Sequence, residues 1–114
     1  MALTPEGEIV AYAKKRLKEK GCLVRKIAYE MRRGCPDMLV LVPKVPFGGK
    51  EPEEGHAWMW YPPRTLFIEF KRDETTEPEP HQLREHERMR AAGADVRIIG
   101  TRQQVDELVE ELFP

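Results

Sequence analysis

The sequence is poor in cysteine and has no long apolar segment. Its 114 residues include only two cysteines, Cys22 and Cys35, whose spacing matches neither a CxxC pair nor a set of metal ligands. We therefore expect two reduced thiols rather than a disulfide. No stretch approaches the roughly 18 consecutive apolar residues of a membrane span, and the beginning, MALTPEGE, has no basic region followed by an apolar one. These absences predict a cytoplasmic protein that does not bind a membrane.

The sequence also lacks the motifs of several enzyme classes. It contains no Gly-rich phosphate loop, no dinucleotide fingerprint and no arrangement typical of a Ser or Cys nucleophile. His81 and His86 are five positions apart, a poor spacing for two ligands on one helix face, so we predict no zinc site. Carboxylates and lysines remain as the candidate chemical groups.

The net charge of −1 hides an uneven distribution of basic and acidic residues. Nine lysines and arginines lie within residues 14–33, whereas acidic residues concentrate at 51–54 and 73–87. The basic segment is compatible with a face that binds phosphate, and equally with a solvated helix surface. The candidates for binding nucleic-acid phosphates are Lys14, Lys18, Arg25, Lys26, Arg32 and Arg33.

The pattern of apolar residues predicts one mixed α/β domain over residues 1–114, in the order αβββαβα. The first helix begins at Pro5 behind the N-cap Thr4 and ends near Lys20. Thr101 and Gln104 have the spacing of a capping box that opens the last helix. Residues 43–64, rich in proline, glycine and aromatics, form an insertion between the second and third strands. The other predicted elements are strands at 22–29, 37–42, 65–71 and 95–100 and a helix at about 80–92.

Two predicted strands carry charges where a core strand normally has none. Asp37 follows a Gly-Cys-Pro turn, and Glu69 and Lys71 end the apolar strand TLFIEFK. Because alternate side chains of a strand share a face, Glu69 and Lys71 project together, and Asp37 reaches Glu69 if the two strands pair. Two carboxylates at one place repel each other unless a proton or a cation lies between them. The pattern therefore predicts a site for a hard divalent ion such as Mg2+.

The first helix adds a third carboxylate to this prediction. At roughly 100° per residue, Glu6 falls on the apolar stripe that includes Ile9 and Ala13, whereas Glu8 faces water. An acidic residue in the first turn is also favoured by the helix dipole alone. That explanation does not account for an inward direction, so we expect Glu6 to point inward and to serve the site.

Five elements occur in a fixed order along nearly the whole chain. They are Glu6, the GCPD segment 34–37, the EFK segment 69–71, Gln82 at the start of a helix, and AAGADV at 91–96. In this order they resemble the VRR-NUC (virus-type replication-repair nuclease) family of the PD-(D/E)xK nuclease superfamily. The insertion at 43–64 departs from the family pattern. The resemblance implies a restriction-endonuclease-like core, with a mixed central sheet flanked by helices.

The same resemblance implies a Mg2+- or Mn2+-dependent endodeoxyribonuclease in a bacterial or phage-infected cell. Asp37, Glu69 and the backbone carbonyl of Phe70 would hold the metal ion. Lys71 would position the attacking water or stabilise the charge that grows on the phosphate. Glu6 would bind through water or support a second ion. Gln82 would orient water, metal ligands or backbone, unless it is only a surface residue at a helix start.

Substrate and assembly are open to several interpretations at the level of sequence. The family's link to replication and repair favours structured or branched DNA, such as a Holliday junction or a flap. A catalytically silent DNA-binding module or nuclease-complex subunit with the same fold is the alternative, and a sequence-specific, restriction-like nuclease is a third reading. The aromatic insertion, with Phe47, Trp58, Trp60 and Tyr61, predicts a homodimer interface, unless it folds back on its own subunit or its tryptophans stack on unpaired bases.

Overall fold

A computed structural model describes residues 3–49 and 59–114 of the chain. The predicted αβββαβα order is present, with two short strands and a 3-10 turn, Phe47–Gly49, added inside the insertion. Among the described residues, no helix has the length and apolar character needed to cross a membrane. The helices are α1 (Pro5–Glu19), α2 (Pro80–Ala91) and α3 (Arg102–Leu112), and the strands are β1 (Leu23–Lys26), β2 (Met38–Val42), β3 (Val45–Pro46), β4 (Trp60–Tyr61), β5 (Arg64–Phe70) and β6 (Asp95–Ile99).

The central sheet has four strands in the order β1-β2-β5-β6. Strands β1 and β2 pair antiparallel, as do β2 and β5, whereas β5 and β6 are parallel. This mixed sheet flanked by helices confirms the predicted fold class. Strands β3 and β4 of the insertion form a separate two-stranded sheet.

The two faces of the central sheet differ in chemistry. Leu66, Ile68 and Phe70 of β5 are fully buried in a core that also contains the apolar side chains of α1 and α3. Because side chains alternate along a strand, Glu69 projects from the opposite face. Helix α2 lies on that face, and its buried residues are Glu85 and His86. One face therefore carries the core, and the other carries buried polar groups.

The ends of α1 and α3 follow the predicted capping chemistry in all but one contact. Thr4 Oγ1 accepts a hydrogen bond from Gly7 N–H at 3.0 Å, and Thr101 Oγ1 accepts one from Gln104 N–H at 3.0 Å. The second half of the predicted α3 capping box is wrong, because Gln104 Oε1 accepts from Gly100 N–H at 2.6 Å instead of from Thr101. The side chain therefore ties α3 to the residue that follows β6.

Candidate active site

The turn before Asp37 rests directly on α2. Gly34 has a φ of +95°, a conformation that favours glycine. A Cβ atom at this position would also lie 3.0 Å from the Cβ of Glu85 and 3.2 Å from the carbonyl oxygen of His81. Backbone conformation and lack of space thus both require the glycine of the GCPD segment.

A buried carboxylate on α2 holds the loop that leads into this turn. Glu85 accepts hydrogen bonds from the Tyr29 hydroxyl at 2.7 Å and from Arg32 Nη2 at 2.7 Å. The hydrogen bond from Tyr29, and then the guanidinium of Arg32, lower the pKa of the Glu85 carboxyl, although its burial opposes them. Glu85 is therefore paired and ionised, and it fixes the loop on α2.

Asp37 lies beside Glu69 at the end of the β2–β5 pairing. Met38 is opposite Ile68 in that register, so the preceding residue, Asp37, comes opposite Glu69. Asp37 Oδ2 accepts the N–H of Phe70 at 2.7 Å, which fixes the carboxylate against β5. Because the N–H and C=O of one strand residue face the same neighbour, the Phe70 carbonyl points to the same edge as Asp37.

Glu69 is a buried carboxylate with an unusually high proton affinity. Its side chain is almost inaccessible, and burial, followed by the hydrogen bond and the charge of Asp37, raises the pKa of Glu69 to about 8. Lys71 opposes this shift, with its Nζ 3.6 Å from Glu69 Oε2. The other oxygen, Oε1, is buried and has no hydrogen-bond partner among the described residues. Without a cation, the two carboxylates are accommodated by a retained proton.

Lys71 is held by a side chain at the start of α2. Its Nζ donates to Gln82 Oε1 at 2.9 Å. The same oxygen accepts the N–H of Glu79, the N-cap of α2, also at 2.9 Å. Gln82 therefore caps the helix and orients the lysine at once. The sequence alone left the role of Gln82 open between orienting water, metal ligands or backbone and a surface position at a helix start, and it did not predict the contact with Lys71.

Comparison with known structures identifies the family. A solved structure named VRR_NUC domain is 44% identical to this chain and superposes on it with a TM-score of 0.75. The matched region covers 95% of this chain and 97% of the solved one. The chain belongs to the VRR-NUC family. No protein-family model and no curated protein matches the chain. The predicted membership of this family is thus confirmed by a solved structure that matches the chain over nearly its whole length.

Glu6 does not have the orientation expected of it. Its side chain is exposed, as is that of Glu8, so the prediction that Glu6 points inward is wrong. Helical periodicity gives a direction around the axis, but not how far the buried stripe extends; this stripe begins at Ile9. Within residues 3–49 and 59–114, no group of three or more His, Cys, Asp or Glu is placed to hold a metal ion. A role for Glu6 in this VRR-NUC domain stays a prediction.

The predicted metal set therefore reduces to Asp37, Glu69 and the Phe70 carbonyl. These are hard oxygen donors, and Mg2+ typically binds one or two carboxylates and keeps several waters. The raised pKa of Glu69, and its Oε1 atom, which has no hydrogen-bond partner among the described residues, both indicate that Lys71 alone does not balance the two carboxylates. The residues thus fit a divalent ion that completes its coordination with water or phosphate oxygens.

One buried residue of this site was missed by sequence reasoning. His86 is fully buried, and its Nε2 lies 3.7 Å from Glu69 Oε1. Burial, followed by the charges of Arg90 and Lys71, lowers the pKa of His86, so the ring is neutral near pH 7. The available signal was its position four residues after Gln82, which places both on one face of α2.

The predicted phosphate-binding residues are spread over several elements. Arg25 and Lys26 are exposed on β1. Arg32 is paired with Glu85, and Arg33 Nη2 lies 3.5 Å from His81 Nδ1. Lys14 and Lys18 belong to α1, on the face of the sheet opposite α2. Only the two arginines at 32 and 33 lie in the loop that leads to Asp37.

Proposed function

We propose that this VRR-NUC domain is a Mg2+- or Mn2+-dependent endonuclease that hydrolyses DNA phosphodiester bonds. One observation carries the proposal: Asp37 and Glu69 are adjacent, and Oε1 of Glu69 is buried with no hydrogen-bond partner in residues 3–49 and 59–114. Burying unpaired polar groups costs stability. A fold has no need of such a pair, whereas a metal-assisted reaction does.

The residues of the site would divide the work of hydrolysis. Asp37, Glu69 and the Phe70 carbonyl would hold the ion. A bound Mg2+ or Mn2+ supplies positive charge at the scissile phosphate and makes water more acidic. Lys71, oriented by Gln82, would stabilise the negative charge that grows on the phosphate or position the attacking water. The water oxygen bonds to phosphorus, one bridging P–O bond breaks, and the departing oxygen takes a proton.

We extend the proposal to structured or branched DNA, such as Holliday junctions or flaps, in replication or repair. The replication-repair association of the family supports this choice. Arg32 and Arg33, exposed in the loop before Asp37, support contacts to the DNA backbone near the scissile phosphate. Such contacts recognise shape and charge rather than sequence.

The decisive experiment compares DNA structures and metal ions. The protein is incubated with single-stranded, duplex, flap and four-way-junction DNA, each with Mg2+, Mn2+ or EDTA. We expect cleavage that requires metal and is fastest on branched DNA. DNA binding without cleavage under every condition would instead indicate a silent binding module or a subunit of a larger nuclease.

We also propose that the domain acts as a homodimer through the insertion. Phe47 and Tyr61 are 43% and 42% exposed, and their ring centroids lie 4.3 Å apart. Beside them, Lys44 Nζ lies 4.3 Å from the centroid of the Trp60 ring. Trp58 is outside the described residues. A twofold pair would bring two active sites to a four-way junction, as two symmetric nicks require.

Sedimentation at micromolar concentration tests the dimer. We expect a dimer for the wild type and a monomer when Phe47 and Tyr61 are both replaced by Ser. Leu23→Ser is the matched control, because Leu23 is an exposed apolar residue on β1, outside the insertion. A wild-type monomer that still makes paired, symmetric nicks in a four-way junction would contradict this proposal.

A further inference from the structure

Three buried polar atoms have no hydrogen-bond partner among the described residues, and they belong to two neighbouring side chains. They are Glu69 Oε1 and both ring nitrogens, Nδ1 and Nε2, of His86. Nε2 lies 3.7 Å from Oε1, a few tenths of an ångström beyond the usual limit of about 3.2 Å for an N–H···O bond. The two unsatisfied groups therefore face each other at almost bonding distance.

Such a pair requires an explanation. Each buried donor or acceptor without a partner costs roughly 1–3 kcal/mol, and most buried polar groups in proteins are paired. A leucine or phenylalanine would fill the place of the fully buried ring without this cost. The imidazole therefore has a use that its packing does not explain.

The carboxylate of Glu69 divides its oxygens between two neighbours. Oε2 lies 3.6 Å from Lys71 Nζ, whereas Oε1 points to His86. A donor at Oε1 would stop the carboxylate from rotating about its terminal bond and would leave Oε2 on the side of Lys71. Partners of this kind behind a metal ligand fix its orientation.

We propose that His86 is a positioning residue that donates its Nε2–H to Glu69 Oε1 and so directs Oε2 to the metal ion. The inference rests on the proposed metal-dependent function of the site. Helix α2 then has two positioning contacts one turn apart, because Gln82 holds Lys71 and His86 holds Glu69. Glu85, between them, fastens the same helix to the loop before Asp37.

Substitutions that keep or remove a donor at the Nε2 position test this role. The amide of His86→Gln can reach the position of Nε2, that of His86→Asn reaches only the position of Nδ1, and His86→Leu has no donor. Binding of Mn2+ to metal-free protein is measured by calorimetry. We expect a loss of roughly 10- to 100-fold in affinity for Leu and Asn, and near wild-type affinity for Gln. Glu87→Leu, at an exposed position on α2, is the control and should change nothing.

Cleavage kinetics and NMR give two further readouts. Loss of the donor should lower kcat with little change in KM for DNA, because the DNA contacts are untouched. Nitrogen-15 chemical shifts of the His86 ring in the wild-type protein should show the proton on Nε2. This measurement does not depend on whether any variant folds. A proton on Nδ1, or full Mn2+ affinity in His86→Leu, would overturn the inference.

The wild-type protein separates this inference from the proposed function. Wild-type protein that neither binds Mn2+ nor cuts DNA would overturn both. Wild-type protein that binds and cuts, together with a His86→Leu variant of equal affinity and kcat, would overturn the role of His86 alone. Weak binding by His86→Leu that His86→Gln restores would support it.

Discussion

The two faces of the central sheet have different roles, although strand β5 contributes side chains to both. On the side of α1 and α3, Leu17, Leu66 and Val105 are fully buried and apolar. On the side of α2, the buried side chains include Glu69 and His86, and some of their polar atoms have no hydrogen-bond partner within the part of the chain that the structure describes. The first face contributes the favourable free energy of apolar burial. The buried polar groups of the second face offset part of this free energy, which is typical of a site built for chemistry.

Strand β5 connects the two faces through its register. Ile68 and Phe70 enter the core while Glu69, between them, faces α2. A shift of the β2–β5 pairing by one residue would exchange these roles and bury a carboxylate in the apolar core. The core on one face therefore fixes the register that brings Glu69 opposite Asp37 on the other.

The largest expected effect comes from a substitution on the α2 face, which should abolish most activity without impairing folding. Lys71→Ala should lower the rate of DNA cleavage by about 100-fold or more, because it removes charge stabilisation in the transition state. Thermal unfolding should change little. Lys15→Ala, at an exposed position on α1, is the control. Cleavage by Lys71→Ala at the wild-type rate would contradict the assigned active site.

The converse effect is expected on the apolar face. Leu17→Ala removes a fully buried side chain of α1 and should lower the free energy of unfolding by about 2–5 kcal/mol. The variant that remains folded should cut DNA at nearly the wild-type rate at low temperature. Denaturant unfolding and cleavage assays on one preparation measure both. A Leu17→Ala variant that is stable but inactive would contradict the assignment of stability to the apolar face and of activity to the α2 face.

The apolar face is the part of the molecule that the sequence predicts best. Val105, Leu108, Val109 and Leu112 recur at helical spacing and are all buried, as expected of α3. Glu6 shows the limit of the same reasoning, since it shares the stripe of α1 but lies in its exposed first turn. Periodicity predicts the direction in which a side chain points around the helix axis. How much of the helix length is buried depends on tertiary packing.

The α2 face is predictable only where a motif names its residues. Asp37, Glu69, Lys71 and Gln82 are placed together by the strand pairing and by the start of α2. His86 has no such motif, and a lone histidine in a helix is compatible with many roles. Its proximity to Glu69 results from how α2 packs on the sheet, which one sequence does not reveal.

A third, smaller effect is expected when the pH of metal-free protein rises from about 6.5 to 8. Glu69 keeps its proton in the folded state, where its pKa is about 8, but loses it in the unfolded state, where the ordinary value is 4.5. The folded state then binds more protons, so stability falls as pH rises, by at most about 2 kcal/mol over this range.

The window for this measurement is set by His86. Its pKa is lowered from 6.5 by burial, so below that value the unfolded state binds the extra proton on His86, and this contribution to stability rises with pH and opposes that of Glu69. Between about pH 6.5 and 8 only Glu69, of these two groups, acts. Melting temperatures in EDTA should therefore fall across the window, and Glu69→Gln should remove the fall. A flat wild-type profile would contradict the buried, protonated carboxyl.

The smallest expected effect compares two glutamines at the same position of two helices. Gln82 and Gln104 are both the third residue after an N-cap, Glu79 in α2 and Thr101 in α3. Each accepts a backbone N–H: Gln82 Oε1 from Glu79 at 2.9 Å and Gln104 Oε1 from Gly100 at 2.6 Å. Replacing either by Ala should cost about 1 kcal/mol of stability, the usual value of such a hydrogen bond.

Only one of the two glutamines also contacts the candidate active site. Gln82 Oε1 accepts from Lys71 Nζ as well, so Gln82→Ala frees the lysine, whereas Gln104→Ala leaves it in place. We expect equal shifts in denaturant midpoint for the two variants, and a several-fold lower kcat for Gln82→Ala alone. If both variants lost the same activity, the effect would follow from helix capping. If neither lost any, Lys71 would not need its partner, and the α2 face would be less organised for chemistry than its contacts suggest.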